Sequence, residues 1–239
     1  MYGADTAAIY DQQHRARGKD YEGEARYVAE QILARFPGAR SLLDVACGTG
    51  GHYEPFRAYF GTIEGVDLSE PMLRIARAAH PGAVFHRGDM RDFDLGRTFD
   101  AVTCLFASIA YVASQAELRR ALERFAAHVV PGGVVAVEPW WFPETFLDDS
   151  VSRAIVEGEG RTIARVTHTV RDGDASRMEA HYLVAEPGVG VRHFTETHRA
   201  MLFTREQYED AFVRAGLKPE YLAGTQSGRG LFVGVREAL

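Results

Sequence analysis

The chain is short of several things, and each shortage excludes a class of function. No window among its 239 residues is long and apolar enough to span a bilayer as a helix. The opening stretch MYGADTAAIYDQQH lacks the basic-then-apolar profile of a secretory signal. No membrane partner is therefore expected, and a cytoplasmic location is. Cysteine is scarce: Cys47 and Cys104 lie in or beside apolar runs, and neither has a partner at metal-ligand spacing. Buried thiols in a reducing compartment are expected, and no metal. Positive charge is in deficit, with 27 Lys and Arg against 33 Asp and Glu. The resulting net charge of −6 makes a nucleic-acid phosphate backbone a poor partner, so an anionic substrate would have to be met by local cations. Low-complexity segments and internal repeats are missing too, and the two tryptophans stand side by side in VEPWWFPETF.

What is present is ordinary for a globular chain. With 46% hydrophobic and 25% charged residues there is enough apolar side chain for one large domain carrying a substantial insertion. Short apolar runs alternate with helical patterns: SLLDVA, TIEGVDL, AVFHRGD, FDAVTCLF and GGVVAVEP read as strands. Between them SEPMLRIARAAH and SQAELRRALERFAAHV read as helices opened by Ser69 and Ser114. This order predicts an α/β fold, a mostly parallel sheet with helices on both faces and ligands at the carboxyl ends of its strands. The pattern changes over 148–203, where alternation broken by RDGDAS and EPGVG predicts an inserted antiparallel sheet of about three strands. A helix capped by Thr204 and a closing hairpin, KPEYLAG with GLFVGV, follow. The main domain is thus expected over 1–147 and 204–239, with helices in 1–36 covering its ligand edge.

The motif LLDVACGTGG carries the chemistry most directly. A strand ends at Asp44, and Ala46, Gly48 and Gly50 let the backbone pass close to a ligand. A dinucleotide fingerprint starting at Gly48 needs another glycine where Tyr53 stands, and no Lys-Ser/Thr pair makes a phosphate loop. An acid before A-C-G-T-G fits S-adenosylmethionine, whose cationic amino-acid part the Asp44 charge would orient. Asp67, followed by Leu68, ends the second strand, where a carboxylate accepts ribose hydroxyls. Asp89 ends the third, placed for the adenine amino group with Met90 packing on the ring. Three strand-end acids in order read as a methyltransferase using S-adenosylmethionine and releasing S-adenosylhomocysteine.

Beyond the glycine loop, the segments RGKDYEGEA, GDMRDF, VEPWWFPETF, SRMEAHY, LFTREQYE and SGRGLFVGV are spread over nearly the whole chain. In them the protein resembles the bacterial N,N-dimethyltransferases that act on dTDP-linked amino-deoxysugars in macrolide and related antibiotic pathways. The resemblance implies the class I methyltransferase architecture, a Rossmann-like seven-stranded sheet with an added antiparallel sheet, a homodimer and no metal. It implies a dTDP-amino-deoxysugar of the desosamine or mycaminose type as substrate, methylated twice on an amine expected at C-3, with C-4 left open on sequence. It also implies that Tyr2, Tyr21 and Glu24 contact substrate, that Arg229 beside Ser227 clamps the diphosphate, and that Tyr111 faces the sugar. Gly228 and Gly230 would let the ligand approach. Some members carry His at the position of Tyr111, so an imidazole base there is not a shared requirement.

Trp140, nearest the end of the fifth strand, is expected to wall the sugar pocket, with Trp141 and Phe142 as packing residues. Of the four histidines on the alternating strands, His181 is retained as a possible active-site contact, while His168, His193 and His198 are expected to pack or face solvent. Two rival functions stay open on sequence: another small-molecule O- or N-methyltransferase on the same fold, and a cofactor-binding protein without turnover.

Overall fold

Ser41–Val45 forms strand β1 with four consecutive buried side chains, the pattern of a strand covered on both faces. Thr62–Asp67 (β2), Val84–Arg87 (β3), Phe99–Cys104 (β4) and Val129–Val137 (β5) join it in parallel. Coordinates come from a computed structural model that describes residues 3–225 and 227–237. The insertion holds four antiparallel strands, Ser150–Gly158 (β6), Arg161–Asp172 (β7), Ala175–Glu186 (β8) and Gly190–Met201 (β9). About three were expected. The extra one is β6, an edge strand with one buried side chain, Val156, so its alternation is too weak to mark it. Leu217–Leu222 (β10) and Leu231–Arg236 (β11) close the chain as the expected edge hairpin, with β11 antiparallel to β5.

The seven-stranded sheet runs β10-β11-β5-β4-β1-β2-β3. Strand order reverses between β1 and β4, which opens a crevice at their carboxyl ends. On one face Gln115–Ala127 and Arg205–Arg214, helices set against each other, bury Leu118, Phe125 and Phe212 with Phe232. On the other, Tyr21–Arg35 buries Ala25, Val28 and Ile32 against Leu42, Ala101 and Val134. Glu70–Ala79 lies beside β2 and β3. The expected caps are in place: the hydroxyls of Ser69, Ser114 and Thr204 accept from the main-chain N–H of Met72, Glu117 and Gln207.

The short N-terminal helices Ala4–Ala7 and Tyr10–Ala16 tie the two sheets together. Ile9 is buried with Val156, Ile163, Tyr182 and Val184 of the inserted strands. Gln12 donates to the carbonyl of Gly158 at 2.7 Å, and Arg192 reaches Asp5 at 3.0 Å. Tyr10 packs with Met72 on the opposite side. These helices are therefore held by contacts to the inserted strands on one side and to the helix Glu70–Ala79 on the other.

Candidate active site

Three strand ends shape a first cavity of about 390 Å³, lined by Ala46, Gly48, Asp67, Leu68, Asp89, Met90, Tyr111 and His198 among others. Ala46, directly after β1, is left-handed at φ 58°, and Phe106 and Ala107 after β4 stand at 54° and 59°. Non-glycine residues tolerate this only where surrounding structure holds them, and such strain gathers at functional sites. Gly48 is left-handed as well, and its N–H donates to Asp67 Oδ2 at 2.8 Å. Asp67 Oδ1 accepts from Ser69 N at 2.7 Å, so the carboxylate is fixed by backbone with lone pairs left for a ligand. Burial raises the pKa of Asp67 despite these bonds.

A smaller space adjoins at Tyr10, Ala46, Gly48 and Ser108 and reaches Asp44, Cys47 and Thr49. Asp44 is buried, accepts from Thr103 Oγ1 at 2.8 Å, and has its pKa raised by burial. A buried carboxylate short of charge partners suits a cationic amino group, so the residues fit S-adenosylmethionine along the whole crevice. Its adenosine end would lie by Asp67 and Asp89 and its amino-acid end by Asp44.

One expectation about the cofactor side needs correction. Gly50 does not line the cavity: it faces His80 and Phe85, and its carbonyl meets His80 Nε2 at 3.1 Å. Its role is to close the turn behind the loop. Asp89 lines the cavity but is already gripped by Arg91, through Nε at 2.9 Å and Nη2 at 2.5 Å. That hydrogen-bonded pairing holds its pKa below the usual carboxylate range.

A second cavity, of about 410 Å³, opens between the main sheet and the inserted one. It is lined from the N-terminal helices by His14, Arg17 and Lys19, and from the inserted strands by Arg165, Ser176 and Tyr182. Glu24, Phe106, Trp140, Ser227 and Arg229 complete it. Trp140 does wall this cavity, with Nε1 donating to Ser176 Oγ at 3.0 Å. Trp141 instead backs against Gly228, and Phe142 packs on Tyr208, Tyr221 and Phe232. Glu24 is held by Lys19 and, at 3.0 Å, by His52; burial pushes its pKa up, but these partners outweigh it and leave it lowered.

Arg229 is in the wall but heavily committed. Its Nη2 is 2.6 Å from buried Glu138, and its guanidinium lies 5.3 Å from the Trp140 ring and 5.9 Å from those of Trp141 and Phe106. Gly230 is also required by packing, since a Cβ there would strike the Tyr221 ring. Tyr21 is placed elsewhere than expected. It is buried against the glycine loop, where a Cβ on Gly51 would sit 2.6 Å from its ring, so it borders the amino-acid end of the cofactor crevice. Tyr2 lies outside the described residues.

The two cavities meet at Tyr111 and His198, which line both. Tyr111 Oη is 3.1 Å from His198 Nδ1, and His198 Nε2 is 3.1 Å from Glu196 Oε2. Burial pushes the Glu196 pKa up, but hydrogen bonds, chiefly from His198, leave it lowered, so Glu196 stays charged. A charged acceptor at Nε2 favours a proton on that nitrogen, and in the neutral ring Nδ1 is then the acceptor that faces Tyr111. His181 is contradicted by the structure. It is exposed on the outer face of β8, beside His193 and Glu179, away from both cavities. Side chains alternate along a strand, and on β8 the inward ones are Ser176, Met178 and Tyr182. On β9 the same alternation turns His198 inward, the histidine that sequence reasoning set aside.

An α/β sheet with acids at successive strand ends and a glycine loop between them defines a class I S-adenosylmethionine-dependent methyltransferase. Residues 42–133 match the family model described as a methyltransferase domain. The chain is 56% identical to the dTDP-3-amino-3,6-dideoxy-alpha-D-glucopyranose N,N-dimethyltransferase of Streptomyces fradiae, over 98% of this chain and 92% of the other. The crystal structure of DesVI from Streptomyces venezuelae superposes with a TM-score of 0.94 at 55% identity, covering 99% of this chain and 100% of that one. CalS10 from Micromonospora echinaspora, an amino pentose methyltransferase solved with S-adenosylmethionine bound, gives 0.88 at 47% identity, over 95% and 96% of the chains. The protein belongs to the family of sugar-nucleotide N,N-dimethyltransferases.

Proposed function

We propose that the protein methylates, twice in succession, the C-3 amine of a dTDP-linked amino-deoxysugar. The observation that carries the reading is the junction: a crevice fitted to S-adenosylmethionine and a cation-bearing, tryptophan-walled cavity share Tyr111 and His198. The C-3 position is supported by the substrate named for the Streptomyces fradiae relative. S-adenosylmethionine, when bound, supplies an electrophilic methyl group, so the protein's work is to align a neutral amine with it and to exclude water. Trp140 walls the sugar side, and Tyr111, oriented through His198 and Glu196, offers its oxygen to an amine N–H. Each transfer forms one N–C bond, breaks one C–S bond and leaves a proton on nitrogen, which departs to solvent before the next attack. Spent cofactor exchanges between the two.

A cytoplasmic homodimer completes the reading. No helix among the described residues is long and apolar enough to cross a membrane. Val151, Ile155, Val166 and Leu183 leave exposed apolar surface on the outer face of the inserted sheet, which a second copy would cover. Incubation with S-adenosylmethionine and a panel of dTDP-3-amino and dTDP-4-amino sugars, read by mass spectrometry, should give mass gains of one and then two methyl groups with the 3-amino substrates. No gain with any of them would sink the substrate assignment. Sedimentation of the same sample should give the mass of two chains, and a single-chain mass would remove the dimer.

A further inference from the structure

The N-terminal helix that walls both cavities carries a buried amide without a partner. Gln13 lies in the helix Tyr10–Ala16, lines the second cavity and is only 2% exposed. Its main-chain N–H donates to the carbonyl of Ile9 at 3.0 Å. Its side-chain Oε1 is buried and has no hydrogen-bond partner among the described residues. A glutamine amide offers two donors and two acceptor sites, and leaving it buried and unpaired costs stability that an apolar side chain would not. An amide held at a cavity wall at that cost is placed to bond a ligand.

The helix also sets which part of a ligand that amide meets. Tyr10, Gln13, His14 and the capping Arg17 stand at i, i+3, i+4 and i+7, along one face. Tyr10 borders the cofactor crevice, whereas Gln13, His14 and Arg17 border the second cavity. At the rise of an α-helix, Gln13 lies roughly 4.5 Å along the axis from Tyr10 and roughly 6 Å short of Arg17. A sugar nucleotide whose amine meets the crevice and whose phosphates point toward the cations has its pyranose ring at the level of Gln13. We infer that the Gln13 amide bonds a ring hydroxyl on a carbon next to the aminated one, and selects sugars that carry it. The inference rests on the reading of the substrate as a dTDP-3-amino sugar. A site built to bond a hydroxyl rejects the analogue without it, because the buried amide then stays unpaired.

The test compares kcat/KM for two probes. One is dTDP-3-amino-3,6-dideoxyglucose, with hydroxyls on both carbons flanking the amine; the other is its 3,4,6-trideoxy counterpart, which keeps only the hydroxyl at C-2. Gln13→Met, which keeps the length of the side chain and removes the amide, should lower kcat/KM on the first probe about 10- to 100-fold. Affinities for dTDP and S-adenosylhomocysteine should stay within about twofold of wild type. A fall confined to the first probe assigns the contact to the C-4 hydroxyl, and an equal fall on both assigns it to C-2. Because an unpaired amide is lost, the free variant should unfold at no lower denaturant concentration than wild type. Gln13→Leu carries the comparison if the methionine variant fails to bind S-adenosylhomocysteine. Unchanged kcat/KM on both probes, an equal loss of dTDP affinity, or unfolding at lower denaturant overturns the contact while the substrate reading stands. Wild type that methylates neither probe overturns the substrate reading itself.

Discussion

The cofactor crevice and the substrate cavity share two side chains yet are built on different principles. The crevice is made by backbone: strand ends, left-handed residues and a carboxylate clasped by the N–H groups of Gly48 and Ser69. The substrate cavity is made by side chains drawn from the N-terminal segment, the segment after β5, the inserted strands, and Ser227 and Arg229 before β11. A backbone site keeps its shape through most surface substitutions. A side-chain site can be retuned one residue at a time, which suits a family whose members share a cofactor and differ in sugar.

The largest effect that separates the two halves should come from Asp67→Ala. It strips the acceptor from the main-chain N–H groups of Gly48 and Ser69 on the wall of the crevice, leaving buried donors unpaired. We expect S-adenosylhomocysteine affinity to fall roughly a thousandfold, about 4 kcal/mol, while the affinity for dTDP stays within about twofold. A parallel loss of dTDP binding would show that the halves are one cooperative unit rather than two separable sites.

The same difference explains what was legible in the sequence. Asp67 and Asp89 line the crevice and Asp44 the space beside it, and all three were legible because they lie at or next to the ends of strands that were plain from their apolar runs. The sheet, the caps at Ser69, Ser114 and Thr204, and the closing hairpin followed for the same reason. In the inserted sheet every second residue faces out, so choosing the wrong parity exchanges inside for outside. His181 and His198 sit on adjacent strands, both next to residues of mixed polarity, and nothing local says which one turns inward. Arg165 was invisible for a related reason: RTIARVTHTV reads as an ordinary solvent-edged strand until its partner cores are known. The Glu138–Arg229 pair spans 91 positions and has no local sign at all.

An intermediate effect should appear in acid, and only on the substrate side. Burial, reinforced by Arg17, Arg165 and Lys19, lowers the pKa of His14 from 6.5 to about 3. Between those values the unfolded chain holds a proton that the folded one refuses. Stability is therefore fully present above about pH 6.5 and is lost as pH falls toward 3. The loss should be of the order of 2–3 kcal/mol, less than the full shift implies because the ring edges a solvent-filled cavity. His14→Phe, which keeps the packing on Phe106 and Tyr10, should flatten that part of the profile in denaturant titrations between pH 4 and 7. A slope unchanged from wild type would mean that His14 is solvated in the folded state.

The smallest pair of effects tests parity within the inserted sheet. His198→Ala removes the link that orients Tyr111 between the cavities, so kcat should fall about tenfold, the cost of one lost hydrogen bond of about 1.4 kcal/mol. Because the contact is one of orientation at the reacting amine, KM for the sugar nucleotide should move much less than kcat. His198→Asn, which can still present a polar atom to Tyr111, should recover part of the loss, which a purely structural role would not predict. His181→Ala, next to inward-facing Tyr182 but on the outer face with Glu179, should leave both constants within about twofold. Equal losses at the two histidines would break the inside–outside assignment, whereas a loss at His181 confined to the dimeric mass would place it at the interface between copies and leave the site as described.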